Sequence, residues 1–125
     1  MSEGNSCSCS GGPKLIFACS GSADVGEIAD HAARELAKSG VGKMFCTVGL
    51  GGRVSGIMKT TEAAAKILAI DGCPLSCVKN SLDQAGFTEY KHLQLAELGF
   101  AKCSSPVTGE AVAKVVQKGT EMMEK

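Results

Sequence analysis

Ile67-Leu-Ala-Ile-Asp-Gly-Cys-Pro-Leu-Ser-Cys77 is the stretch that decides the fold. Ile67 to Ile70 is a short apolar run, which reads as a strand buried on both faces. Asp71 and Gly72 end it. Pro74 suits the first position of a helix, where its missing N–H has no partner to lose. That helix is expected to reach about Ala85, with Gly86 as its terminator.

The same grammar extends in both directions. Toward the N-terminus, Ile57 to Lys66 reads as a helix, with Ala63, Ala64 and Ala65 as strong helix formers. Lys43 to Val48 is a second strand candidate and Lys14 to Ala18 a first. Between these two, Val25, Ile28, Ala29, Ala32, Ala33 and Leu36 recur at helical spacing over Asp24 to Ser39. Asp24 with Glu27 resembles a capping box, and Gly40 ends the helix. Toward the C-terminus, Tyr90 to Leu95 is a more polar strand suited to an edge. Glu110 to Glu124 is an amphipathic helix with Val112, Val115, Val116 and Met122 or Met123 turned inward. Strands alternating with helices imply an α/β three-layer sandwich. The expectation is a four-stranded, mainly parallel sheet in the order 2-1-3-4, with helices on both faces.

The chain of 125 residues is one domain's worth, expected over residues 13–125 behind a Ser, Gly and Cys rich tail at 1–12. Thirteen basic residues balance thirteen acidic ones, so nothing electrostatic favours nucleic acid or an anionic membrane as partner. No apolar run approaches membrane-spanning length and the first residues lack the pattern of a signal peptide. The expected location is the cytoplasm, a reducing compartment.

Seven cysteines in such a chain call for a reason. Their odd number and the size of the core argue against a disulfide framework. Cys19 follows strand one, Cys46 lies toward the end of strand two, Cys73 follows strand three, and Cys77 stands one turn further on. In a parallel sheet all strand C-termini share one edge, so these four should meet there, where open α/β proteins bind ligands. Cys73 is expected near the N-cap of its helix and Cys77 in the first turn, where free amides and the helix dipole favour thiolate over thiol. Four thiolates suit one zinc ion, with a net charge of about −2 that helix N-termini partly offset. Position alone leaves a second reading open, of separate buried or reactive cysteines.

Ala18-Cys-Ser-Gly-Ser22 leading into Asp24-Val-Gly-Glu-Ile28, then Cys46, then Asp71-Gly-Cys-Pro74 with Cys77, resembles the DGC-domain family, proteins held to bind zinc and named for the Asp-Gly-Cys motif. The resemblance spans about Pro13 to Lys118. It implies that the family's four chelating cysteines correspond to Cys19, Cys46, Cys73 and Cys77, and it implies zinc as cofactor. The function expected is metal binding for storage, transfer or sensing, by a binding protein with no catalytic residue. The alternative is thiol redox or persulfide sulfur transfer by Cys73 with Cys77 or Cys19. An iron–sulfur cluster ranks behind zinc as the occupant of four cysteines.

Other residues carry less. Cys7-Ser-Cys9 reads as exposed thiols, or as a hook that exchanges metal with the main site. Cys103 reads as a surface or packing cysteine. Gly49 to Gly56 has neither the third glycine of a dinucleotide-binding loop, where Val54 stands, nor the Gly-Lys-Ser/Thr of a P-loop. It is expected to be a loop over the cysteine edge, with Arg53 facing an anion or only turning the chain. Val25 occupies the place where a small phosphatase would need its arginine. Asp71 is a candidate to orient the cysteines or to cap the turn before Cys73. His31 and His92 are expected to be ordinary surface or edge residues.

Overall fold

The computed structural model describes residues 12–125. Residues 1–11, with the Cys7 and Cys9 hook, lie outside the described residues. Four parallel strands, β1 (Lys14–Ala18), β2 (Lys43–Met44), β3 (Lys66–Asp71) and β4 (Lys91–Gln94), form one sheet in the order β2-β1-β3-β4. The helices are α1 (Asp24–Lys38), α2 (Thr47–Gly51), α3 (Ser55–Glu62), α4 (Cys77–Gln84) and α5 (Gly109–Glu124), and a 3-10 turn covers Leu95–Leu98. The expected class and strand order are therefore correct.

The three layers follow from strand geometry. Successive side chains point to opposite faces. On β1, Ile16 and Ala18 join Leu68 and Ile70 of β3 beneath α1 and α5. Leu15 and Phe17 join Ile67 and Ala69 on the other face, beneath Leu50 of α2 and Val78 and Leu82 of α4. Both faces are covered, which is why these strands are apolar runs without alternation. Phe17 is fully buried, a burial that stabilises by ~1.5–3 kcal/mol. Gly119 of α5 sits against Leu36 of α1, where a Cβ would approach Leu36 Cδ1 to 2.9 Å, so the two helices meet closely.

Five local expectations are corrected. The second strand stops at Met44 because the next pairing group is taken: Phe45 N still donates to Ile16 O at 2.8 Å, but Thr47 Oγ1 then donates to Ala18 O at 3.0 Å and α2 begins. The Gly49 to Gly56 stretch is accordingly half helix. Ala63 to Ala65 leave α3, since Ala65 N donates to Pro13 O at 2.8 Å and returns the chain to the sheet. The fourth helix starts at Cys77, three residues after Pro74. The Asp24–Glu27 capping box is absent. Ala23 holds the N-cap position, and Asp24 instead accepts from Cys103 N at 3.0 Å and Ser105 N at 2.9 Å. Of the final helix's expected inward residues, Val115 and Met123 are buried while Val112, Val116 and Met122 are half-buried. Gly40 and Gly86, both with positive φ, end their helices as expected.

Two outcomes are expected. A Cβ on Gly72 would lie 2.7 Å from the backbone carbonyl of Val25, with no side chain able to yield, so Gly72→Ala should destabilise by ~1–3 kcal/mol in urea unfolding. The backbone N–H groups of Cys103 and Ser105 hold the Asp24 carboxyl below its ordinary value of 3.8. A depressed carboxyl stabilises the fold above its unfolded value and stops doing so as pH falls through its folded value. Amide exchange at Cys103 and Ser105, corrected for intrinsic rate, should therefore rise below ~pH 3.8, and Asp24→Asn should show weak protection there already at neutral pH.

Candidate functional site

Each cysteine of the sheet's C-terminal edge is held by a different device. Cys19 continues β1 by one bond, its N–H donating to Ile70 O at 2.9 Å. The loop after it lies flat on the start of α1, since a Cβ on Gly26 would come within 2.7 Å of Gly21 O. Ser20 Oγ donates to Asp30 Oδ1 at 2.7 Å and fixes the loop's far side. Burial pushes the Asp30 carboxyl up, but hydrogen bonds from Arg34 and Ser20 outweigh it and hold the group below its ordinary value.

Cys46 is not a strand residue. It is the N-cap of α2, exposed, with Sγ accepting from Gly49 N at 3.2 Å. Cys73 is half-buried and packs against the cluster beneath α1 and α5. Cys77 is exposed and opens α4. Cys73 and Cys77 thus do not share one helical turn, because Ser76 between them adopts left-handed backbone with φ +53°. That strained residue is braced by Gln94 Nε2, which donates to Ser76 Oγ at 2.8 Å, and by Asn80 Nδ2, which donates to Leu75 O at 3.0 Å.

Asp71 sets where α4 begins. It is 1% exposed. Its Oδ1 accepts from Val78 N at 2.8 Å, and its Oδ2 accepts from Lys79 N at 3.1 Å. A strand residue thereby caps a helix six residues away in sequence, satisfying two amides that would otherwise lack partners. His92 Nε2 lies 2.8 Å from Oδ2, and with the carboxylate as acceptor that nitrogen donates.

Cys19, Cys46 and Cys77 line one open cleft of about 810 Å³, together with Asp30, Arg34, Phe45, Val48 and Ser81. Cys73 is not on its wall, yet it belongs to the same neighbourhood. The Cys77 thiol is pushed up from its ordinary value of 9.0, first by burial, then by the negative charge that Cys19, Asp71 and Cys73 would carry. This reverses the expectation of a thiolate-favouring helix end at Cys77. The structure brings the four sulfurs to one edge without closing them on a point: among the described residues, no three His, Cys, Asp or Glu side chains stand where they could hold a metal. The donor set itself, four soft thiols of matching type, suits zinc.

Sequence reasoning missed three features. The α2 helix was hidden by its glycines, and its N-cap is a cysteine, a residue type that gives no capping signal. His92 was set aside as an edge residue, yet its register partner is Ala69, which places it diagonal to Asp71 on the same face. The Arg53 guanidinium donates to Leu50 O at 3.0 Å and Gly51 O at 3.2 Å, closing the end of α2. His31 is the surface residue expected, 3.2 Å from Glu27. Cys103 is exposed and is not on the cleft wall. No helix of the described residues is long and apolar enough to cross a membrane.

The family model of the DGC domain matches residues 15–119. The anaerobic and virulence modulator AnvM of Pseudomonas aeruginosa is 38% identical over 88 residues, which cover 70% of this chain and 67% of AnvM. No solved structure matches the chain.

Removing the Asp71 carboxylate strips two amides of their cap and leaves His92 without its acceptor. Asp71→Ala should destabilise by at least ~1–2 kcal/mol in urea unfolding and should raise amide exchange at Val78 and Lys79 beyond the global change.

Proposed function

We propose that this chain, which belongs to the DGC domain family, binds one metal ion through Cys19, Cys46, Cys73 and Cys77 at the C-terminal edge of its sheet. The observation that carries the reading is the position of Cys77. It shares the cleft wall with Cys19 and Cys46, and its thiol feels both Cys19 and Cys73. Cys46 and Cys77 are exposed on short segments, which leaves both open to an ion from solvent. Zinc is the ion favoured by an all-thiolate set, with an iron–sulfur cluster behind it. The ion would supply charge that lets neighbouring thiols ionise together, and a sphere filled by four sulfurs leaves no position for a reacting water. A binding role is therefore favoured over an enzymatic one.

AnvM is named as an anaerobic and virulence modulator. Carried to this chain, that name favours sensing over storage, because a thiolate site responds to oxidants through its sulfurs. A reducing, cytoplasmic setting follows from the same thiols. Thiol redox or persulfide transfer by Cys73 with Cys77 or Cys19 is the rival reading.

Metal content by mass spectrometry on untagged protein purified under reducing conditions tests the proposal. About one zinc per chain is expected in the wild type. Cys19→Ser, Cys46→Ser, Cys73→Ser and Cys77→Ser should each lower occupancy strongly under a competing chelator, while Cys103→Ser should not. Because Leu15, Phe17, Leu68 and Leu82 already close the core, the zinc-free protein should still unfold cooperatively, at a lower midpoint. A wild type that takes up no metal, or four variants that bind like wild type, would sink the proposal.

A further inference from the structure

We propose that His92 is a positioning residue for the thiol edge: through Asp71 it holds the first turn of α4, and with it Cys77, in a fixed place. Among the described residues Asp71 is the only charged side chain that is buried. A buried carboxylate keeps its direction only when each oxygen is engaged. Oδ1 has Val78 N at 2.8 Å as its donor, and Oδ2 has Lys79 N at 3.1 Å and His92 Nε2 at 2.8 Å. The shortest bond on Oδ2 is therefore the one from His92, a residue of the next strand.

The edge strand β4 supplies a second hand to the same turn. Gln94, two residues beyond His92 and on the same side of the strand, donates to Ser76 Oγ at 2.8 Å. Ser76 is the left-handed residue that turns the chain into Cys77. His92 and Gln94 thus grip the α4 entry from two sides: one through the cap acceptor, the other through the strained residue before it. Neither lines the cysteine cleft. Their effect on Cys77 passes through the backbone of residues 76–79.

The proposal rests on the metal reading only for its affinity arm. Two measurements are made on the full chain, on His92→Leu and on His92→Gln, whose amide nitrogen can occupy the place of Nε2. The first is amide exchange at Val78 and Lys79, relative to core amides such as Leu68. The second is zinc affinity against a competing chelator. For His92→Leu, exchange at those two amides should rise ~10-fold and zinc affinity should fall ~10–100-fold, the range for groups that orient metal ligands. His92→Gln should restore both to within ~3-fold of wild type. Urea midpoints report any global loss, which would move all amides alike. Should His92→Leu not fold, His92→Asn, whose amide falls short of Asp71, replaces it. Exchange at Val78 and Lys79 unchanged in the variant, or a His92→Gln as impaired as His92→Leu, would overturn the assignment. So would faster exchange with undiminished zinc affinity. If the wild type binds no zinc, the metal reading fails by itself and the exchange arm alone decides whether His92 fixes the turn.

Discussion

The burial of Asp71 is the constraint from which the thiol edge is built. Taking a carboxylate out of water costs several kcal/mol unless donors replace its hydration. Here three do: two amides of α4 and the ring of His92. The consequences run outward in order. The helix must begin where its second and third amides reach Asp71, so Cys77 becomes its first residue. The five residues from Gly72 to Ser76 must then turn sharply, and Ser76 takes up left-handed backbone to do it. Gly72 has to lack a side chain because that turn presses on Val25 of α1. A single buried charge thus sets the entry to α4, the packing of a loop on α1 and the docking of the edge strand.

The cysteines inherit their placement from this scaffold and from the ends of the parallel strands. Parallel pairing puts Cys19 beside Ile70 O and Cys73 two residues past the end of β3. The Thr47 bond to Ala18 O ends β2 early and turns Cys46 into a cap. A helix N-terminus alone would favour thiolate at Cys77, yet burial and three potential negative charges around it push the thiol the other way. Negative charge on Cys19 or Cys73 makes Cys77 harder to ionise. A bound cation reverses that effect, so on the metal reading uptake and proton release would be tightly linked.

Much of the fold was legible because it rests on local chemistry. The apolar runs at Leu15–Ala18 and Ile67–Ile70, the α1 periodicity and the stops at Gly40 and Gly86 each carry their structural meaning within a few residues. What was hidden depends on partners far away in the chain. Nothing near Asp24 announces that its carboxylate will reach across to hold the amides of Cys103 and Ser105. Nothing near Pro74 says that Asp71 will delay the helix to Cys77. The alanines at 63–65 have high helix propensity, but the Pro13 carbonyl recruits Ala65 into the sheet's entrance. The four cysteines could be gathered on one edge from topology. Their separate settings, with Cys46 capping and Cys73 tucked against the other face of the sheet, could not.

That separation bears on what binding would accomplish. The sheet is covered on both faces and its largest side chains are fully buried, so the core is closed by the chain's own side chains. In zinc fingers the binding energy is folding energy; on the metal reading, a core of this kind would leave it available for local rearrangement. Cys19 and Cys73 stand at the ends of the two central strands but pack on opposite sides of the sheet. Cys46 and Cys77 stand on short helices beside them. An ion that drew these four together would move α2, which Cys46 caps, toward an α4 entry that Asp71 holds to the strands. The displaced surface would include Val48, which is 83% exposed. A change confined to that surface is the form of output a sensor needs, since it alters what a partner meets without altering the fold.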